Sequence, residues 1–373
     1  MESEQLNYSK DIKDKISNNK KKFTNKFTKI LIFIKINYIT LIIIILIIYI
    51  FYLKLKLNKY IKKFKNNDQK KEIKFIKSMF QLYIENRTEY YIKGRQRKME
   101  INGKKYNESN IITIQDKLNW LIIHESPESK TNIVDKILLH NYSRKILGKD
   151  ICVPILKIYN NVNEINLDEL PDRFVLKCNH GSKFNILCNN KSNFNITIAK
   201  KKLKKWMKIN YGLENYEYQY INVKKKIFAE KFLCDGIINY KINCYNGQPK
   251  FIRVTKDLPD KSAKIHNYYD LNWNLNDLET NKKNYIRKPE IIFEKPKYLN
   301  LMLEYAKKFA SNFIFIRVDF YEINNQIYLS ELTFSPFNIL MNYKNLNQSI
   351  YLGNQLNITM LKKKKIHKIK YKI

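Results

Sequence analysis

Residues 315–334, FIRVDFYEINNQIYLSELTF, limit the possible folds more than any other stretch of the chain. Two apolar runs flank Asn324-Asn325, residues that tolerate the left-handed backbone of a tight turn. The runs therefore read as a hairpin, and two acids, Asp319 and Glu331, interrupt them. A carboxylate inside an apolar strand needs a cationic partner or a metal. Register decides what the two acids do together. A three-residue loop, Asn324 to Gln326, pairs Ile323 with Ile327 and sets Asp319 opposite Glu331; a two-residue loop sends them to opposite faces. Opposed, they repel unless a cation lies between them. Mg2+, which takes one or two carboxylates plus substrate phosphates, suits such a site. The bland alternative is two unrelated solvated acids.

A second stretch, RFVLKCNHGSKFNIL at 173–187, reads as strand, loop, strand. Lys177 ends the first apolar run, and Gly181 allows close backbone approach in the loop that follows. A lysine beside free amide donors makes an anion cradle; the alternative is a surface hairpin with an incidental lysine. Cys178, His180 and Cys188 have no common zinc spacing and lack a fourth ligand, so the cysteines read as small buried hydrophobes. Five cysteines without a CxxC motif indicate no disulfide framework.

The net charge of +36 first suggests nucleic acid or an anionic surface. The excess of Ile, Lys, Asn and Tyr together is what AT-rich coding produces, and the aromatics are spread through apolar runs rather than along a basic groove. Nucleic-acid binding is therefore set aside. The composition also leaves one long uncharged run, INYITLIIIILIIYIFYL, between Lys35 and Lys54. With its flanks it is long enough to cross a bilayer, Tyr38, Tyr49 and Tyr52 lie toward its ends, and no small-residue cleavage site follows. The expected organisation is a disordered basic tail at 1–29, a transmembrane anchor at 30–56 and a linker with a helix at 57–110. A globular domain at 111–355 and a basic tail at 356–373 follow.

Within the globular part, periodicity predicts helices over 72–86, 115–123, 131–147 (closed by Gly148), 198–211 and 297–311. Strands are expected at 151–159, 173–178 and 226–233. A hairpin at 239–255 turns at Asn246-Gly247. Residues 93–110 read as irregular and 257–290 as a long loop. Hairpins mixed with helices, without strict alternation, argue an α+β fold.

Taken together, DKLNWL (116–121), DELPDRFVLKCNHGS (168–182), IFAEKFL (227–233), YKINCYNGQPKFI (240–252), YYDLNW (268–273) and the 316–334 hairpin resemble the TupA-like branch of the ATP-grasp superfamily. The resemblance covers roughly residues 110–355. It implies an ATP-grasp fold, two α+β subdomains gripping ATP, and ATP- and Mg2+-dependent ligation of a carboxylate to an amine through an acyl phosphate. The implied setting is modification of a cell-wall or surface polymer. By motif, Lys177 contacts phosphate, and His180, Gly181, Ser182 and Lys183 belong to the loop over the triphosphate. Glu230 and Leu233 lie in the segment at the adenosine, Lys241 points toward the nucleotide, Asp319 and Glu331 hold Mg2+, and Arg317 faces the transferred group. Three departures stand out. Phe184 replaces a flexible position of the loop, Glu331-Leu332-Thr333 replaces the usual Glu-x-Asn metal motif, and 335–339 lacks the expected small residues.

Two rival functions remain: a catalytically silent scaffold on the same fold, which the glycine-poor loop favours, and a surface-glycan enzyme using another donor. An ATP-consuming ligase belongs in a nucleotide-rich compartment, so the globular domain is expected on the cytoplasmic side of a single-pass anchor. Deleting residues 1–60 should move the protein from the membrane to the soluble fraction; full-length protein that stays soluble without detergent contradicts the anchor.

Overall fold

The computed structural model describes residues 86–359 apart from 126–127, 259–262 and 282–283, together with residues 78, 79, 81 and 82. The expected anchor, the N-terminal tail and nearly all of the C-terminal tail lie outside the described residues. Among the described residues, no helix is long and apolar enough to cross a membrane.

Two sheets, antiparallel except where one short strand joins the larger in parallel, face different cores. The smaller has the order β1 (Ile155–Tyr159), β4 (Ile227–Lys231), β2 (Phe174–Cys178) and β3 (Asn185–Cys188). Alternation along β2 turns Phe174, Leu176 and Cys178 inward, where they meet Cys188, Ile227, Ala229 and Leu203. Leu203 comes from the helix α5, Ile196–Lys208, whose N-terminal amide at Ile198 is capped by Asn195. The other face of β2 carries Val175 and Lys177.

The larger sheet runs β11 (Gln326–Thr333), β10 (Phe315–Ile323), β5 (Asn239–Tyr245), β6 (Gln248–Asp257), β7 (Lys264–Tyr269) and β8 (Leu275–Asn276), with β9 (Tyr285–Arg287) beside β7. Its apolar face packs Ile242, Val254, Ile316, Val318 and Phe320 against Met302, Ala306 and Phe309 of α7 (Leu299–Ala310). The opposite face is polar, carrying Lys241, Arg253, His266, Arg317 and Asp319. Asn246 and Gly247, with φ of 51° and 80°, make the β5–β6 turn as expected.

Three expectations need correction. The 131–147 helix is two, α3 (Glu128–Val134) and α4 (Leu139–Leu147), because the Asp135 carboxylate accepts from the amides of Ile137 and Leu138 and supplants the helical bonds there. Residues 87–101, partly read as irregular, form the helix α1 (Arg87–Ile101). Polarity misleads here, because α1 buries only a narrow stripe and Arg95. The supposed long loop at 257–290 contains β7, β8 and β9, whose pairing with β6 and with each other overrides an Asn- and Lys-rich composition.

The β10–β11 hairpin departs from the expected loop in an instructive way. Its turn is the two-residue Asn324-Asn325, so Ile323 pairs with Gln326. Asp319 nevertheless stands opposite Glu331, because Ser330 is an extra residue between the pairs Phe320–Leu329 and Asp319–Glu331. The bulge flips the phase of β11. Leu329 and Leu332, three apart, therefore both reach the core.

Arg95 ties the helices to the end of this sheet. It is fully buried, and its Nε and Nη2 donate to Asn119 Oδ1 on α2 (Ile114–His124). Its Nη1 donates to Asn338 Oδ1 at 2.6 Å and its Nη2 to the Asn338 carbonyl at 3.1 Å. Asn338 is the middle of three successive residues, Phe337 to Ile339, with φ between 53° and 57°. Each such non-glycine residue is strained by about 1–2 kcal/mol, and the Arg95 clamp opposes that strain. Arg95→Met should lower unfolding free energy by about 3 kcal/mol, since it leaves buried acceptors unpaired. Urea denaturation checks this, and a loss below about 0.5 kcal/mol, the size of an ordinary surface change, contradicts it.

Candidate active site

The polar face of the large sheet centres on Asp319, which is 1 % exposed. Alternation places it on the same side of β10 as Arg317, and register sets Lys241 of β5 directly beside it. Arg317 Nε donates to Asp319 Oδ1 at 2.6 Å and Nη2 to Oδ2 at 2.7 Å; Lys241 Nζ donates to Oδ2 at 2.6 Å. Arg317 Nη2 also reaches Thr333 Oγ1 at 3.1 Å. Burial alone would raise the Asp319 pKa, but the two cations outweigh it and hold it below its ordinary value. Arg317, likewise opposed by burial, is held above its ordinary value by Asp319. Lys241 shares its partner with the better-placed guanidinium. Burial is the larger influence on it, only partly offset by Asp319, and brings its pKa down to about 8.

Glu331 completes the set from β11. Its side chain is 28 % exposed and loosely held, 4.0 Å from Arg317 Nη2 and 3.8 Å from Lys136 Nζ. Asp319 and Glu331 thus share a face, but Arg317 already satisfies much of the charge between them. As an acceptor of three hydrogen bonds, Asp319 keeps lone-pair capacity, and Glu331 keeps more. Two hard oxygen donors side by side, one of them open, fit Mg2+.

Lys177 and Glu230 form a close ion pair across β2 and β4. Burial opposes the Lys177 charge, but Glu230 and Tyr321 outweigh it and the pKa is raised. Tyr321, on the polar face of β10, feels Lys177, Glu230 and Asp319 together, so the small-sheet pair and the large-sheet cluster converge on it.

The loop after β2 is arranged differently from the motif. His180 turns inward, 1 % exposed, with Nε2 at 3.2 Å from the Trp206 carbonyl. Burial takes its pKa down to about 4, so its ring is a neutral packing element rather than a phosphate ligand. Phe184 stacks on Trp206 at 5.3 Å and meets Tyr211 edge-on. It anchors the loop by its root instead of crowding its tip. A Cβ on Gly181 would come within 2.8 Å of both Phe184 and Tyr211, which explains the glycine. Ser182 and Lys183 are exposed, Lys183 with φ of 64°. Leu233 is half-buried just past β4, in the segment leading to β5.

Two residues of the site were not visible as motifs. Lys136 lies in the break between α3 and α4, donates to the Gly181 carbonyl at 2.7 Å and approaches Glu331. It joins the loop of the small sheet to the acid of the large one. Glu217 is buried, its pKa raised by burial, and it accepts from the hydroxyls of Ser335 and Tyr211. Lys136 lies far from Gly181 and Glu331, and Glu217 far from Ser335, which left no local signal. A separate cluster of His140, Asp150 and Cys152 has close ligand atoms. Its carboxylate is already committed to the Cys152 amide, the Arg144 guanidinium and His140, which accounts for it without an ion.

Residues 116–357 match the family model described as TupA-like ATPgrasp. Solved structures similar to the chain include an L-amino acid ligase from Bacillus licheniformis, at 12 % identity and a TM-score of 0.32 over 55 % of this chain and 43 % of that one. A D-alanine–D-alanine ligase from Bacillus anthracis matches at 18 % identity and 0.33 over 60 % and 65 %. A biotin carboxylase–β,γ-ATP complex from Campylobacter jejuni matches at 12 % and 0.37 over 66 % and 53 %. The chain thus spans between 43 % and 65 % of the length of these three proteins. No curated protein matches the sequence. With the model matched over most of the globular part, the chain belongs to the TupA-like ATP-grasp family.

Proposed function

We propose that this protein is an ATP-dependent carboxylate–amine ligase whose reaction centre lies between the Lys177–Glu230 pair and the Arg317–Asp319–Lys241–Glu331 face. The observation that carries the proposal is Asp319 itself. A fully buried carboxylate, bound by two cations and opposed to a second, accessible carboxylate, is an arrangement for holding polyphosphate and metal rather than for stability. Lys177 and Lys241 contact the phosphates. The exposed amides at Ser182 and Lys183 close over them, and Val175, Glu230 and Leu233 border the nucleoside. When bound at Asp319 and Glu331, Mg2+ neutralises the phosphate oxygens.

In the reaction a substrate carboxylate oxygen attacks the γ-phosphorus, the bond to the bridging oxygen breaks and ADP leaves. The amine nitrogen then attacks the carbonyl carbon of the acyl phosphate, phosphate leaves with the bonding pair, and the amine gives up a proton. Arg317 lies where negative charge develops on the transferred group, held in orientation by its two bonds to Asp319. Lys136 fixes the phosphate loop relative to Glu331, so that closing the loop and assembling the acid pair are one event. The 30–56 run anchors the enzyme with its globular domain in the cytoplasm, and its amide product serves a surface polymer. A silent scaffold on the same fold is the second reading, favoured by the Lys183 and Phe184 positions where the family pattern has glycines. MgATP titration of the protein separates the two, since a scaffold need not bind the nucleotide.

Three outcomes are expected. Lys177→Met keeps the aliphatic stem and should weaken ATP binding by about 10–100-fold, or about 1.5–3 kcal/mol for charged hydrogen bonds; unchanged affinity in calorimetry contradicts its phosphate contact. Glu331→Gln should reduce Mg2+-dependent turnover by about 100-fold or more while leaving the circular dichroism spectrum intact; parental turnover contradicts the metal role. Lys241 has the opposite sign for stability and for binding. Its folded pKa of about 8 lies below its ordinary 10.5, so between these values the unfolded chain holds more protons and this group makes folding more favourable as pH rises. Its charge disappears over the same window. ATP affinity of the parent should therefore fall as pH is raised through about 8, and Lys241→Arg, whose charge persists, should flatten that fall; identical pH profiles contradict it.

A further inference from the structure

Arg253 is a buried cation that the proposed reaction does not use. It lies on the polar face of the large sheet, beside Lys241 in register and two strands from Arg317. It is 3 % exposed, and neither its Nε nor its Nη2 has a hydrogen-bond partner. Three aromatic rings enclose it, with centroids at 4.4 Å (Tyr285), 4.6 Å (Phe337) and 5.7 Å (Tyr268). Behind it, wholly buried His266 has neither ring nitrogen hydrogen-bonded. The charges of Arg253 and Arg287 reinforce the burial that keeps this ring neutral. Arg287 is itself bound to Asp277.

The contrast with Arg317 is informative. Both arginines line one small cavity of about 40 Å³, whose walls include Asn243, Phe337 and Tyr343 and, among the described residues, contain no acid. Arg317 has Asp319 and Thr333 to satisfy it; Arg253 has only ring faces, which leave its N–H edge directed at nothing. Such an edge is left unmade only where something else supplies the acceptor, because an unpaired buried charged donor is among the least favourable arrangements in a protein interior. The cavity volume suits a carboxylate, which offers two coplanar oxygens to the fork of a guanidinium. Phe337 forms one wall from the strained 337–339 segment that Arg95 holds in place, and such strain is characteristic of ligand clamps.

We infer that Arg253 seats a second, non-reacting carboxylate of the substrate whose other end meets Arg317, so that this ligase acts on a small dicarboxylic compound. Strands lie about 4.8 Å apart and the two arginines are offset by two residues along them, so they stand on backbones about 12 Å apart, and their side chains converge on one cavity. A chain of a few carbons joins the two positions. The inference rests on the ligase reading for the role of Arg317, but not for the binding itself.

The test uses full-length protein, with and without MgATP, and a series of probes: succinate, glutarate and adipate against butyrate, valerate and caproate. Binding is read by calorimetry and thermal shift, and MgATP affinity is recorded on the same samples. At least one dicarboxylate should bind the parent tenfold or more tightly than its monocarboxylate counterpart. Arg253→Gln should erase that preference, and Arg253→Lys, which keeps the charge but not the fork, should restore part of it. Because Arg253→Met removes an unpaired buried charge, its ligand-free form should unfold at no lower temperature than the parent; a purely structural arginine would give a clear drop. Equal binding of mono- and dicarboxylates, a preference that survives Arg253→Gln, or competition by chloride as effective as by dicarboxylate overturns the inference. Should MgATP bind normally in that case, the ligase reading stands without it. Absent MgATP binding with an Arg253-dependent dicarboxylate preference would instead remove the ligase reading and keep the binding site.

Discussion

The polar face of the large sheet is arranged around one buried carboxylate. Asp319 lies in the second strand of a six-strand path, with apolar neighbours on the reverse face of its own strand, and it stays ionised because Arg317 and Lys241 both reach it. Desolvating three charged groups is not a favourable way to hold a sheet together; apolar residues of the same volume generally do as well or better. The stability of the sheet comes from its other face, where Val318, Phe320, Ile242 and Val254 pack on α7. The cluster is thus a cost that the core carries. Lys241 shows the tension most clearly: squeezed between burial and a neighbouring guanidinium, it is the member of the cluster closest to losing its charge.

Two local distortions bring the remaining parts to that surface. The bulge at Ser330 turns Glu331 onto the face of Asp319 without removing Leu329 or Leu332 from the core. The left-handed run at 337–339 folds the chain back over Arg253 and is tied by Arg95 to α1 and α2. Both distortions follow directly on β11 or lie within it. The small sheet contributes Lys177 and Glu230 through ordinary alternation, and Lys136 ties its loop to Glu331. Loop and acid pair are therefore mechanically connected through Lys136, although the three come from distant parts of the sequence.

Much of this was legible in the sequence. Hairpins mixed with helices, the Asn246-Gly247 turn among them, pointed to an α+β fold, and the acids in apolar strands pointed to facing carboxylates, from local pattern. The pairing of Asp319 with Glu331 was anticipated from a three-residue loop, whereas a two-residue loop and a bulge produce it. That compensation had a signal: apolar positions 327 and 329 give way to 332 and 334, a break in the period of two that requires an extra residue. Asp135 split a helix whose apolar spacing looked continuous, because a side-chain acceptor at the right place competes with the helix's own carbonyls. His180 was read as a loop ligand from its motif; only packing against Trp206 and Phe184 reveals that its ring points inward. Arg253 and Lys136 gave no sign, since their meaning lies wholly in what surrounds them.

The central claim is that the Asp319–Glu331 face holds the metal and phosphates of ATP. The most direct measurement is a crystal structure of the globular part with Mg2+ and a non-hydrolysable ATP analogue. The account predicts a metal held by Glu331 and Asp319, with Lys177 and Lys241 in contact with phosphate oxygens and the base against the small sheet. Nucleotide bound elsewhere, or a metal touching neither carboxylate, would contradict it.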